Sequence, residues 1–167
     1  MANPAVYERV LQPTIIVPLL YAIQAALFIT LLAIASVTDV NERVISNNMC
    51  ALIALTGLIG FSPVKLFGIL AALPLFIAAV CKEGSIGGGD IKMAAASGVV
   101  LGFGGGIAGL TIGLAAMLIF FAGGKAISMI RKKKDNDNKG IKATLPMAPF
   151  LSFGFIAVYI LRNFAGF

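Results

Sequence analysis

The sequence predicts an all-α polytopic membrane protein of six transmembrane helices with both termini outside (N-out/C-out). Of its 167 residues, 59% are hydrophobic and only 12% charged, and the mean hydropathy is +0.99, well beyond an ordinary soluble domain. The apolar residues gather into six runs parted by short polar, glycine- or proline-bearing connections. Cations favour alternate connections: Arg43, Lys82, Lys92, Arg131, Lys132, Lys133, Lys134, Lys139 and Lys142 fall on one side, Arg9, Lys65 and Arg162 on the other. Cytoplasmic loops attract Lys and Arg, so the first set is assigned to the cytoplasm.

Residues 1–14 are mixed and carry Pro4 and Pro13, which predicts an irregular or interfacial lead-in. The first span covers about 15–37, long enough for a bilayer core of about 30 Å. Ala33-Ile34-Ala35 resembles a signal-peptidase site, but the length of the stretch, the lack of a basic region beyond Arg9 and the acidic motif that follows argue for a retained helix. The second span, 45–61, has Ser46 or Asn47 as its N-cap. Ser62-Pro63 turns the chain into the third span, 64–81, where Pro74 predicts a kink. A glycine-rich connection then leads to the fourth span, 90–103, and Gly104-Gly105-Gly106 leads into the fifth, 105–130. A basic, asparagine-containing stretch over 131–144 reads as a flexible loop, and the last span, 145–161, ends at Arg162. Ala94, Gly98 and Gly102, and again Gly105, Gly109 and Gly113, recur every four residues, a spacing that lets helix backbones approach closely in lipid. These glycines are read as packing residues, and the whole of 1–167 as one transmembrane domain.

Composition also excludes chemistry. With no histidine and two cysteines, there is no His-based triad and no Cys/His zinc cluster, and neither a metal nor a cofactor is expected. A disulfide between Cys50 and Cys81 is disfavoured because both fall near the face assigned to the reducing cytoplasm. The net charge of +6 resides mostly in Arg131-Lys132-Lys133-Lys134 between apolar spans, a topogenic signal rather than a nucleic-acid surface.

The seven acidic residues narrow quickly. Glu8 lies in the lead-in, Asp135 and Asp137 in the basic loop, and Glu42 and Glu83 in connections. Asp39 follows the first span without a break and Asp90 opens the fourth, where an unpaired charge is expensive. Charge bias puts both at the cytoplasmic face. Two adjacent carboxylates share one proton over a wide pH range, so one serves as general base on a water while the other polarises a peptide carbonyl. Asp90 at a helix N-terminus and Asp39 at a C-terminus make Asp90 the expected ionised member, by about 0.3–1 kcal/mol each.

Gly87-Gly88-Gly89-Asp90-Ile91-Lys92 resembles the G-x-G-D motif of type IV prepilin peptidases. Asp39 followed by Ile45-Ser46-Asn47 is similar to that family's first motif, an Asp upstream of Ile-Pro-Asn, with Ser46 where proline is usual. Leu145-Pro146-Met147-Ala148-Pro149-Phe150-Leu151-Ser152-Phe153-Gly154 resembles its third, proline-rich segment. The resemblance implies a membrane aspartyl peptidase of the bacterial inner membrane, with Asp39 and Asp90 as catalytic pair. It implies cleavage at the cytoplasmic face of a prepilin with a basic leader and an apolar helix. No methyltransferase insert with paired Cys-x-x-Cys is present, so the chain resembles the short, peptidase-only branch found with tight-adherence (Flp-type) pili. Gly87, Gly88 and Gly89 are expected to turn the chain beside the first helix. Lys92 either tunes the pair or snorkels to the interface, and Asn47 either bonds a catalytic carboxylate or caps the second span. Glu42 and Glu83 are weighed as receptors for leader lysines. The alternatives are a G-x-G-D protease acting on another substrate such as preflagellin, a small ion-coupled transporter, or an inactive assembly subunit; a homo-oligomer is left open.

Overall fold

The computed structural model describes residues 4–82, 86–131 and 146–164, and all regular structure among them is helical. Glu83 and the 132–145 part of the basic loop lie outside the described residues. Three stretches, Pro18–Glu42, Pro63–Cys81 and Gly88–Gly124, are long and apolar enough to cross a membrane, and Asn47–Thr56 and Ala148–Asn163 are shorter apolar helices. Large apolar side chains such as Val80, Leu118, Ile119 and Phe120 point outward, as in a protein whose solvent is lipid. This is a membrane protein.

Helix α1 runs Pro4–Glu42. The irregular lead-in expected before residue 15 is therefore wrong: the backbone is helical from Pro4 and continues through Pro13 and Pro18. A proline removes one donor, but in apolar surroundings the remaining backbone groups have no better option than the helix. Gln24, Phe28, Leu32, Ala35 and Asp39 are its buried residues, spaced by three, four or seven and so sharing one stripe. Gln24 at one end is satisfied by donating to the Thr56 carbonyl at 3.0 Å.

Helix α2, Asn47–Thr56, is capped by Ser46, whose hydroxyl accepts from the Asn48 N–H. The third apolar stretch is not a kinked α-helix. It winds as a 3-10 helix over Pro63–Ala72 and becomes α-helix α3 over Leu73–Cys81, with Pro74 in the first turn of α3. Proline is tolerated there because that N–H has no intrahelical acceptor. At about 2.0 Å per residue against 1.5 Å, the 3-10 portion adds about 5 Å of reach.

Helix α4 runs Gly88–Arg131 but breaks at Gly102, whose φ of 74° and ψ of 173° are not helical. A Cβ placed on Gly106 would lie 3.1 Å from Gly98 Cα, although eight residues of continuous helix span about 12 Å. The chain therefore doubles back at Gly102, and α4 is two arms. Gly102 accordingly corrects the packing role expected for it: it makes the reversal. The role holds for others. Gly98 meets the Gly68 backbone with no room for a side chain, and Gly109 and Gly113 lie against Phe155 and Leu151 of α5, Ala148–Phe164. The core, centred on Phe28, Leu32, Ile53, Met93, Leu151 and Phe155, joins α1, α2, α4 and α5.

Candidate active site

Asp39 stands in the last turn of α1, at the end of its buried stripe, and Asp90 in the first turn of α4. Both are buried, at 8% and 7% exposure. They line one cleft of about 160 Å³ with Arg43, Val44, Ile45 and Gly87 to Gly89. The two ends of the chain segment that carry the carboxylates are thus brought together.

The glycines explain how. A Cβ at Gly89 would lie 2.9 Å from the Cβ of Ile45, and one at Gly87 3.1 Å from Asp90 Oδ2, while nothing lies within 4 Å of Gly88. Gly89 lets the turn seat on the loop after α1, Gly87 leaves room for the Asp90 carboxylate, and the middle position is sterically free. The Asp90 N–H closes the turn by donating to the Gly87 carbonyl at 3.1 Å.

The third segment of the site comes from α5. The Ala148 N–H donates to Asp39 Oδ2 at 3.0 Å. One turn further on, Ser36 donates to Ser152 at 2.8 Å and Ser152 to the Leu32 carbonyl at 3.2 Å, which pins α5 to α1 beside the carboxylate. A helix N-terminus presents unsatisfied N–H groups, and a carboxylate is a good acceptor for one. The sequence likens this segment to a third, proline-rich family segment but does not reveal the donor, since a backbone N–H leaves no trace in residue type. The proline-flanked start of α5 is the available signal.

Asp90 Oδ1 is buried and has no hydrogen-bond partner among the described residues. Lys92 and Asn47 are brought together and line a different cavity from the carboxylates: Lys92 Nζ donates to Asn47 Oδ1 at 2.8 Å, tying α4 to α2. Ser46, standing where proline is usual, caps α2 in place of Asn47. Arg43, a lining residue that sequence reasoning did not single out, has a left-handed φ of 55° that costs about 1–2 kcal/mol outside glycine. Glu42 is exposed at the end of α1. Cys50 is a buried free thiol and Cys81 an exposed one.

A family model, that of the type IV leader peptidase family, matches residues 26–127, more than half of the chain and both carboxylates. The chain belongs to the type IV leader peptidase family. It is therefore a peptidase by family. Searches among curated proteins and among solved structures returned no match. The segment bearing Ala148 lies beyond the matched residues of this leader peptidase family member, so the donor to Asp39 rests on geometry alone.

Proposed function

We propose that the protein is an aspartyl endopeptidase that removes the basic leader of a prepilin at the cytoplasmic face of the bacterial inner membrane. The observation that carries this reading is the buried pair: Asp39 and Asp90 share one cleft, and a backbone N–H from a third helix is aimed at one of them. With both arms of α4 counted, the described residues hold six apolar helical segments, and the N-out/C-out orientation proposed for them rests on the charge bias of the connections.

Roles follow from the hydrogen bonds. The Ala148 N–H stabilises Asp39 as the anion, which outweighs the helix-end argument that favoured Asp90. Asp39 is then the base and Asp90 carries the shared proton. Asp39 takes a proton from water as the water oxygen attacks the scissile carbonyl carbon, and Asp90 gives its proton to the carbonyl oxygen. On collapse, the proton on Asp39 passes to the leaving nitrogen as the C–N bond breaks, and one diol hydroxyl returns a proton to Asp90. The pair ends with the single proton it began with. No metal or cofactor enters.

An ion-coupled transporter would hold its carboxylates at mid-depth in the membrane. Positions in the last turn of α1 and the first turn of α4 favour the peptidase. Lys92, bound to Asn47, serves as a tie between helices. The test is co-expression of a prepilin bearing a basic leader with wild type, Asp39→Asn and Asp90→Asn. Leader removal is expected with wild type alone, and removal by either variant overturns the reading.

A further inference from the structure

At the end of the bundle opposite the carboxylates, two cations from distant parts of the chain converge. Lys65, at the start of the 3-10 stretch, and Arg162, in the last turn of α5, both line a cavity of about 220 Å³ with Tyr21, Gln24, Tyr159 and Asn163. Both also line a second cavity of about 370 Å³, bounded by Ser62, Val64 and Gly102 to Gly105. The site lies about 22 Å along α1 from Asp39, counting from Gln24.

Two positive charges this close repel, and among the described residues no Asp or Glu lines either cavity. The described side chains Asp39, Glu42 and Asp90 lie at the far end of the bundle, and Glu8 is about 20 Å beyond Tyr21 along α1. Each cation meets a backbone carbonyl: Lys65 Nζ donates to Gly60 at 3.0 Å, and Arg162 Nη1 to Leu101, beside the break at Gly102. Carbonyl capping explains one donor apiece, whereas an ammonium has three and a guanidinium five. Among the described residues it also leaves the two positive charges without an acidic counterpart.

We propose that Lys65 and Arg162 form a binding site for the phosphate headgroup of an anionic phospholipid in the leaflet opposite the catalytic pair. Lys and Arg are suited to phosphate oxygens, and the Ser62 hydroxyl and the side chains of Tyr21 and Asn163 offer further polar contacts. The headgroup is a lipid's rather than free phosphate because exposed Val64 and Phe103 line the second cavity and offer apolar surface for acyl chains. This site is independent of the peptidase reading.

The experiment is native mass spectrometry of the purified full-length protein titrated with phosphatidylglycerol, phosphatidylcholine or inorganic phosphate. It is repeated on Lys65→Ala, Arg162→Gln and, as a charge control at the other end, Lys82→Ala. The expected result is preferential retention of phosphatidylglycerol, weakened about tenfold in Lys65→Ala and in Arg162→Gln and unchanged in Lys82→Ala. Equal retention of phosphatidylcholine, unchanged retention in Lys65→Ala, or displacement of the lipid by millimolar inorganic phosphate overturns it. Should Arg162→Gln fail to fold without the bond to the Leu101 carbonyl, Lys65→Ala decides alone.

Discussion

A methyl group on residue 89 would lie 2.9 Å from Ile45 Cβ, and one on residue 88 would meet nothing within 4 Å. Gly89→Ala must therefore shift the turn that delivers Asp90. A misplacement of about 1 Å costs on the order of a hundredfold in rate, so Gly89→Ala is expected to lose cleavage on that scale. Gly88→Ala is expected to lose much less, because the added methyl meets nothing within 4 Å and leaves the turn where it is, even though Gly88 lines the cleft. Side-by-side rates on one prepilin check the contrast, and equal losses would contradict it. At this scale the carboxylates were legible, because a carboxylate abutting an apolar stretch is anomalous. The Ala148 N–H was not, because every residue but proline carries one. The choice of Ser46 over Asn47 as the cap was also hidden, since either residue type suits that position.

Helix α5 orients the site through its first residue. Proline fits the first position of a helix and differs there chiefly in lacking the N–H. Ala148→Pro is thus expected to keep the fold while removing the bond to Asp39. A hydrogen bond to a charged group is worth about 1.5–3 kcal/mol, or roughly ten- to a hundredfold in rate. A thermal melt close to wild type together with that loss of cleavage is the expected pair of results. At Gly102 the left-handed φ dictates the opposite pattern: Gly102→Ala should lower stability by about 1–2 kcal/mol, read by denaturation in mild detergent, because the residue lies far from the carboxylates. Gly98, Gly102 and Gly106 are indistinguishable in sequence, and only their surroundings separate a packing glycine from a turning one. The 3-10 stretch is likewise invisible to hydropathy, which does not register helix pitch.

A membrane protein built of apolar helices was legible across the molecule because hydropathy and length together report what lipid can solvate. The division of α4 was legible in the glycine run 104–106, while the turning residue itself, Gly102, was not. Charge bias predicts the orientation, with the 131–144 stretch inside. A cysteine at Lys134→Cys in a Cys50→Ser, Cys81→Ser background should resist a membrane-impermeant maleimide in intact cells and react after lysis. Labelling in intact cells would invert the topology and move the carboxylates to the other face. The buried stripe of α1 links the scales: Gln24, Phe28, Leu32 and Ala35 hold the helix in the bundle, and Asp39 ends the same stripe inside the cleft.

The central claim is that Asp39 and Asp90 act as one unit through a shared proton. Groups that act as a unit are strongly non-additive when removed. The direct measurement is the cleavage rate of a purified prepilin by wild type, Asp39→Asn, Asp90→Asn and the double variant. Each single variant is expected to fall to the same residual rate as the double. A single variant that retains substantial activity, with the double lower by the product of the two losses, would contradict it.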